Sequence, residues 1–395
     1  MTGTSGQDRP TRVLLACSGL EHTNRGFESF ARECFEVLRD DPRLELELIK
    51  ASGPERDRER TVRAIKRDDR IASMIGRLWG KGPLQVEQLL FALSLQGEIR
   101  RRRPEVIYLS EWYTGLGLAR LRALNRQNYA IVLSNGSMAA DGFEPFDRVH
   151  QHTAPAFEYV MDRGADPARH VLLPVAFKFA PEADLIDPDG RQALRGRLQL
   201  PRDRPIVISV AALNSWHKRL DYLIAELAKL PEPRPFLLLV GQPEPETARL
   251  RRMAHDLLGD EGHSIRTVPG REVPDLLRAS DLFVLASLAE GLPRALVEAL
   301  AHGLPCLAHD YPIAHYATGG LGFFADFERE GALADLLGRS IGAGEDMAAA
   351  RARHKYVYDS FSWDSLAPQY VELLTGAVGR ADFAERPLSA VKPSA

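Results

Sequence analysis

The chain has 395 residues with 51 Lys and Arg against 54 Asp and Glu, a formal charge of −3, so its bulk electrostatics argue against nucleic acid as a partner. That length exceeds what one hydrophobic core serves, and a 45% hydrophobic fraction can fill two, so two domains are expected. Cys17, Cys34 and Cys306 lie in apolar patterns without paired spacing, no apolar run nears the roughly 20 residues a bilayer span needs, and the polar start Met1 to Gln7 lacks a signal peptide; a cytoplasmic protein without disulfides is the expectation.

In chain order, the first half alternates strand-like apolar runs with helical periods. Strands are expected at Arg12 to Cys17, Leu44 to Lys50, Val106 to Ser110, Ala130 to Ser134, Arg148 to His152 and Val171 to Val175. From Phe177 to Gly190 the composition shifts to that of an interdomain linker. A second alternation places strands at Pro205 to Ala211, Pro235 to Val240, Ile265 to Val268, Leu282 to Ala286, Cys306 to His309 and Phe323 to Ala325. The pattern implies two Rossmann-like, doubly wound α/β domains facing across a cleft, at residues 1–178 and 179–360. A closing helical segment begins at Phe361, and the tail after Arg380 reads as disordered.

The stretch Asp281 to Asp310 carries the most chemistry. A buried strand leads into a loop holding Glu290 and Gly291, then a short helix from Pro293 to about His302, capped by Gly303. The free N–H groups and positive dipole end of that helix face the loop, which is where open α/β sheets bind phosphorylated ligands. Glu290 and Glu298, separated by seven residues, add acceptors for sugar hydroxyls, while a solvated helix face is the plain reading of such a pair. Together these features point to a sugar on each side of a diphosphate.

With these residues the chain resembles the retaining glycosyltransferases of family 4 in the GT-B superfamily, from about Ile206 to Leu337 and again at Phe361 to Leu374, and more loosely from Thr11 to Pro174. The resemblance implies that Glu298 holds the donor ribose and that Glu290 contacts donor-sugar hydroxyls near the reacting carbon. It turns the backbone of Gly291, Leu292 and Pro293 to the sugar, and the N–H groups of Ala295 and Leu296 to the diphosphate. Lys218 falls on the family's diphosphate-clamping lysine. The clamp's arginine position holds Leu213, with His217 or Arg219 as candidate substitutes. Arg271 sits where the family places the nucleotide base and either stacks on it or is an ordinary surface arginine. At the N-terminus only Gly26 and Glu28 match the family's Gly-Gly-x-Glu loop, and Gly26 serves a tight turn or the approach of substrate. Ser110 stands at the family's histidine position, leaving Glu111 and Trp112 as acceptor-facing candidates; Asn135 is another, beside the plain reading of an Asn-Gly turn. The family's closing helix crosses back to the N-terminal domain, which is the role implied for residues 361–395.

Three further signals carry a bland and a sharp reading. Asp187-Pro188-Asp189 is a D-x-D that could hold a metal-nucleotide, but Asp189 capping a helix near Arg191 is preferred. His150 and His152 project to one face of a strand and read as a satisfied polar edge before a metal pair. Residues 56–81 are basic, with Met74, Ile75, Leu78 and Trp79 at helical spacing. Packing against the N-terminal sheet is preferred there, and weak peripheral contact with an anionic membrane is the second reading.

The leading function is therefore a retaining, metal-independent hexosyl transfer with no cofactor, from a nucleotide-diphosphate sugar, UDP- or GDP-linked, to a small-molecule, glycan or lipid-linked hydroxyl acceptor. A non-catalytic sugar-nucleotide-binding relative or accessory subunit is the alternative. A nicotinamide oxidoreductase is disfavoured because Ala16 to Leu20 lacks the G-x-G-x-x-G turn.

Overall fold

Strands that read as near-continuous Val, Ile and Leu are buried on both faces, the situation of parallel strands covered by helices. The computed structural model describes residues 9–22, 26–139, 141–183, 185–341 and 346–378. It divides into one unit running to Lys178 and resuming at Trp363, and a second unit, Phe179–Ser362.

The first unit contains β1 (Thr11–Cys17), α1 (Gly26–Leu38), β2 (Leu44–Lys50), β3 (Glu59–Thr61), α2 (Arg70–Trp79), α3 (Pro83–Arg102), β4 (Val106–Leu109), α4 (Trp112–Asn125), β5 (Ala130–Asn135), β6 (Arg148–Gln151), α5 (Ala154–Met161) and β7 (His170–Leu172). Its seven strands pair in parallel in the order β3-β2-β1-β4-β5-β6-β7, so the order reverses between β1 and β4. Leu14, Phe91, Ile107, Leu118 and Ile131 lie in its core, each almost wholly buried.

The second unit contains α6 (Pro188–Arg197), β8 (Ile206–Val210), α7 (Leu220–Ala228), β9 (Phe236–Val240), α8 (Thr247–Leu258), β10 (His263–Arg266), a single turn of 3-10 helix (Gly270–Glu272), α9 (Val273–Ala279), β11 (Leu282–Leu285), α10 (Arg294–Ala301), β12 (Cys306–His309), α11 (Pro312–Thr318), β13 (Phe323–Ala325), α12 (Ala332–Ser340) and α13 (Met347–Phe361). Its six parallel strands run β10-β9-β8-β11-β12-β13, with the reversal between β8 and β11. The last helix, α14 (Trp363–Thr375), belongs to the first unit. There Trp363 stacks on Phe30 of α1 with ring centres 5.9 Å apart, and the Tyr370 hydroxyl donates to Pro174 O at 2.7 Å. No helix among the described residues is long and apolar enough to cross a membrane.

Several local expectations change. β3 was not foreseen, because Glu-Arg-Thr has no apolar alternation; Glu59 is buried there and accepts from the buried Lys50 ammonium at 2.8 Å. The cap of α6 is Asp187, which accepts the Gly190 N–H at 2.7 Å, rather than Asp189. Both residues of the D-x-D thus serve the start of a helix. His150 lies on the interior strand β6 and His152 one residue beyond it, and both are buried with hydrogen-bond partners. His150 contacts the Tyr108 hydroxyl and Leu173 O, and His152 contacts Ser134 Oγ at 2.7 Å. Burial lowers the His150 pKa to about 4, so the ring is neutral at physiological pH. On α2 the preferred packing reading fails, since Met74 is 65% and Leu78 84% exposed. The expected disorder after Arg380 lies outside the described residues, as do Thr23, Asn24 and Arg25 of the N-terminal loop.

Candidate functional site

In the second unit, the carboxyl ends of β8 and β11 bracket the point of strand-order reversal, where doubly wound sheets bind ligands. The loop after β8 is shaped by Asn214, which is 1% exposed. Its side-chain oxygen accepts the N–H groups of His217 (3.3 Å) and Lys218 (2.9 Å), and its amide donates to Glu244 at 3.0 Å. These side-chain-to-backbone bonds fix the loop that presents Lys218. The Lys218 ammonium donates to Glu290 in the loop after β11. Ser287 Oγ donates to the same carboxylate at 2.7 Å, and His217 Nε2 lies 3.8 Å from its other oxygen and 3.2 Å from Ala289 O. Two segments far apart in sequence thus meet at one carboxylate whose side chain is only 10% exposed.

The following helix, α10, starts one residue later than expected, with Pro293 as N-cap rather than first helical residue. Leu296 N–H is already bonded to Pro293 O at 3.1 Å, so of the two amides assigned to a diphosphate it is the less available. The Ala295 N–H lies in the first turn, where no earlier helical carbonyl can accept it. Glu298 stands one turn on, 35% exposed, with Arg294 Nη2 3.8 Å away. Gly291 and Leu292 are half-buried in the loop between Glu290 and the helix.

The side chain at the missing arginine position, Leu213, is wholly buried among Val207, Leu220 and Leu250, so it contributes nothing polar. Of the candidate substitutes, His217 reaches Glu290, while Arg219 donates to Phe327 O at 3.1 Å and covers the Tyr222 ring. Arg271 is 82% exposed, with Glu272 at 3.9 Å. Sequence reasoning missed Asn214, Ser287 and Tyr311. The Tyr311 hydroxyl is buried without a hydrogen-bond partner among the described residues, and burial, with the nearby Glu290 charge, raises its pKa. An Asn shortly before a helix, able to accept backbone N–H groups, was a readable signal; nothing in Asp310-Tyr311-Pro312 announced the tyrosine.

The first unit has its own crevice at the β1/β4 reversal. A cavity of about 180 Å³ is lined by Cys17, Phe27, Glu28, Arg67, Gln88 and Glu111 among others. Glu111 accepts the Ser18 and Gly19 N–H groups (2.5 and 3.4 Å) and the Thr114 hydroxyl (2.7 Å). Burial nevertheless raises its pKa, with Glu87 adding to the effect. Glu87 shifts the other way: burial alone would raise it, but the bonds from Arg67 and Ser18 outweigh that and lower it. Glu28 is 8% exposed and its Oε2 has no partner among the described residues.

The other N-terminal candidates are committed differently. Trp112 packs edge-on to Phe143 and tilted on Phe146, with centroids 5.5 and 5.3 Å apart, so its ring belongs to the core. Asn135 donates to Gln151 of β6 and to Ser137 O and accepts from Ser137 N and Oγ, so its amide is engaged by the turn and the neighbouring strand. Gly26 opens α1 and is exposed.

The family model "Glycosyl transferases group 1" matches residues 190–363. A D-inositol 3-phosphate glycosyltransferase of Streptomyces scabiei is 31% identical over 209 residues, covering 48% of this chain and 45% of that protein. A UDP-Gal:alpha-D-GlcNAc-diphosphoundecaprenol alpha-1,3-galactosyltransferase of Escherichia coli is 56% identical over 36 residues, 9% of each chain. The chain spans less than half the length of the curated relatives it matches. Among solved structures, sucrose-phosphate synthase of Thermosynechococcus elongatus superposes with a TM-score of 0.73 at 17% identity, covering 93% of this chain and 98% of that one. Anabaena HepE in complex with UDP and glucose gives 0.68 at 16%, covering 93% and 100%. Residues 190–363, in the second unit, thus match the group 1 glycosyltransferase model, and the two parallel-sheet α/β units have the GT-B fold.

Proposed function

We propose that the chain transfers a hexosyl group from a nucleotide-diphosphate sugar to a hydroxyl acceptor, with retained anomeric configuration and without a metal. The observation that carries this reading is the meeting of Lys218, His217 and Ser287 on Glu290 at the β8/β11 reversal, beside the N-terminus of α10. In this reading Glu298 accepts from the ribose hydroxyls, Glu290 from the donor sugar, and the Ala295 N–H with the positive end of α10 supports the diphosphate. Lys218 neutralises charge on the leaving phosphate as the bond from the anomeric carbon to the phosphate oxygen breaks. The acceptor oxygen bonds to the same face of that carbon and passes its proton to the departing phosphate oxygen, so no separate base is required. UDP is the first nucleotide to test, because HepE, a structural neighbour, holds UDP and glucose; GDP is the second.

The acceptor is a small molecule, a glycan or a lipid-linked sugar, received in the reading by the crevice that holds Glu111. Cytoplasmic action and the absence of any cofactor are parts of the same proposal. The alternative, a sugar-nucleotide-binding relative without turnover, draws on one observation: Leu213 leaves the diphosphate clamp with a single cation that is itself tied to Glu290. A thermal-shift screen of UDP, GDP, ADP and dTDP, followed by turnover with the matching sugars, tests both. A ligand at about 100 times its Kd adds roughly 2.7 kcal/mol to stability. Binding with turnover supports the transferase, and binding without turnover supports the alternative.

A further inference from the structure

Most large apolar side chains of α2 face away from the protein, Ile75 being half-buried. Ile71, Met74, Leu78 and Trp79 are 52%, 65%, 84% and 46% exposed. At about 100° per residue, Ile71, Met74 and Leu78 fall within roughly 60° of one another, a single stripe. The face turned to the protein is made of the smallest residues, Ala72 and Gly76; a Cβ at Gly76 would come within 2.5 Å of Lys81 O. This inverts the ordinary surface helix, whose large apolar side chains pack inward and whose polar ones face out. Past the left-handed cap at Gly80 the patch continues to Leu84, 38% exposed.

Charge indicates what covers it. Arg63, Arg70, Arg77 and Lys81 are all exposed, and none forms a salt bridge among the described residues. Arg70 and Arg77 lie on α2 itself, a quarter-turn or so to one side of the stripe. The acidic residues nearby are Asp68 and Asp69 at the start of the helix. A large apolar stripe bordered by unpaired cations, with a tryptophan at the helix end, is the composition of a helix lying in a lipid interface.

We propose that α2 docks the chain on an anionic bilayer, its stripe sunk among the acyl chains and its arginines against lipid phosphates. Contact of this kind needs no matched partner surface, because a fluid anionic interface satisfies unpaired cations without fixed geometry. The inference does not rest on the transfer reading, since no residue of the donor site takes part.

The test is co-sedimentation of the full chain with vesicles of phosphatidylcholine alone and of phosphatidylcholine with phosphatidylglycerol. Wild type is expected to pellet with the anionic vesicles at low salt, to release as salt rises, and to bind neutral vesicles far less. The double variant Met74→Asp, Leu78→Asp should lose about tenfold or more of the vesicle binding, and Arg70→Glu, Arg77→Glu should abolish the preference for anionic lipid. An unchanged Tm keeps folding out of the result, as these side chains are already in solvent. Absence of vesicle binding in wild type, or equal binding by the double variant, overturns the proposal. So does a concentration-dependent dimer that the same double variant dissolves, because the stripe is then the seat of a second copy.

Discussion

At the strand-order reversal of the second unit, Glu290 meets a lysine, a serine hydroxyl and a histidine, all from side chains. At the same topological point of the first unit, Glu111 is held by the Ser18 and Gly19 backbone N–H groups and one threonine, and the arginine of that crevice is given to Glu87 instead. One carboxylate is thus compensated as an anion beside a helix end suited to phosphate. The other is drawn toward its neutral form by burial. Two sheets of the same design thus hold their carboxylates differently, Glu290 by a side-chain cation at the β8/β11 reversal and Glu111 by backbone amides at the β1/β4 reversal.

Breaking the charged side should have the largest effect. Lys218→Ala is expected to lower kcat by about a hundredfold or more while changing free-nucleotide affinity much less, because the lysine acts on charge that grows as the bond breaks. Steady-state kinetics alongside calorimetry checks this, and equal losses in rate and affinity would make Lys218 a ground-state contact. Glu298→Ala should weaken nucleotide binding by about 1 to 3 kcal/mol, since ribose hydroxyls lose their acceptors. Unchanged affinity in a folded variant would remove the ribose assignment.

The buried side is sharpened by pH. The folded-state pKa of Glu111 is raised, so its contribution to stability is present below the unfolded value and lost as pH rises through the folded one. Glu87 is lowered, so its contribution is present above the unfolded value and lost as pH falls through the folded one. Denaturant titrations should therefore show Glu87→Gln losing ground on wild type as pH rises toward the unfolded carboxylate value, and Glu111→Gln gaining on wild type as pH rises above it. Parallel curves for the two variants would contradict the contrast. The smallest effect is expected at Arg271, whose exposed side chain should tolerate Ala with about a twofold change in donor KM or less.

The two crevices also differed in how far the sequence disclosed them. Glu290 and Glu298 belong to one contiguous strand, loop and helix, whose proline and glycine marked its ends, so the local pattern located both. The first crevice draws Ser18, Glu28, Arg67, Glu87 and Glu111 from separate elements, and no spacing connects residues that only the sheet brings together. Periodicity identified α2 as amphipathic, but it reports which side chains share a face and not what covers that face. Packing of Trp112 on Phe143 and Phe146 was likewise a tertiary outcome, whereas the bonds of Asn135 to Ser137 are the local turn that Asn-Gly announced. The strands and the two α/β units followed from alternation because buried parallel strands are almost uniformly apolar; β3, short and polar, had no such mark.

The most direct test of the central claim is anomeric NMR of the product formed from a nucleotide sugar, run with and without EDTA. The account predicts the donor's own anomeric configuration in the product and the same yield under chelator, because Lys218 and the N-terminus of α10 supply the positive field at the diphosphate. An inverted product, or transfer abolished by EDTA, would contradict it.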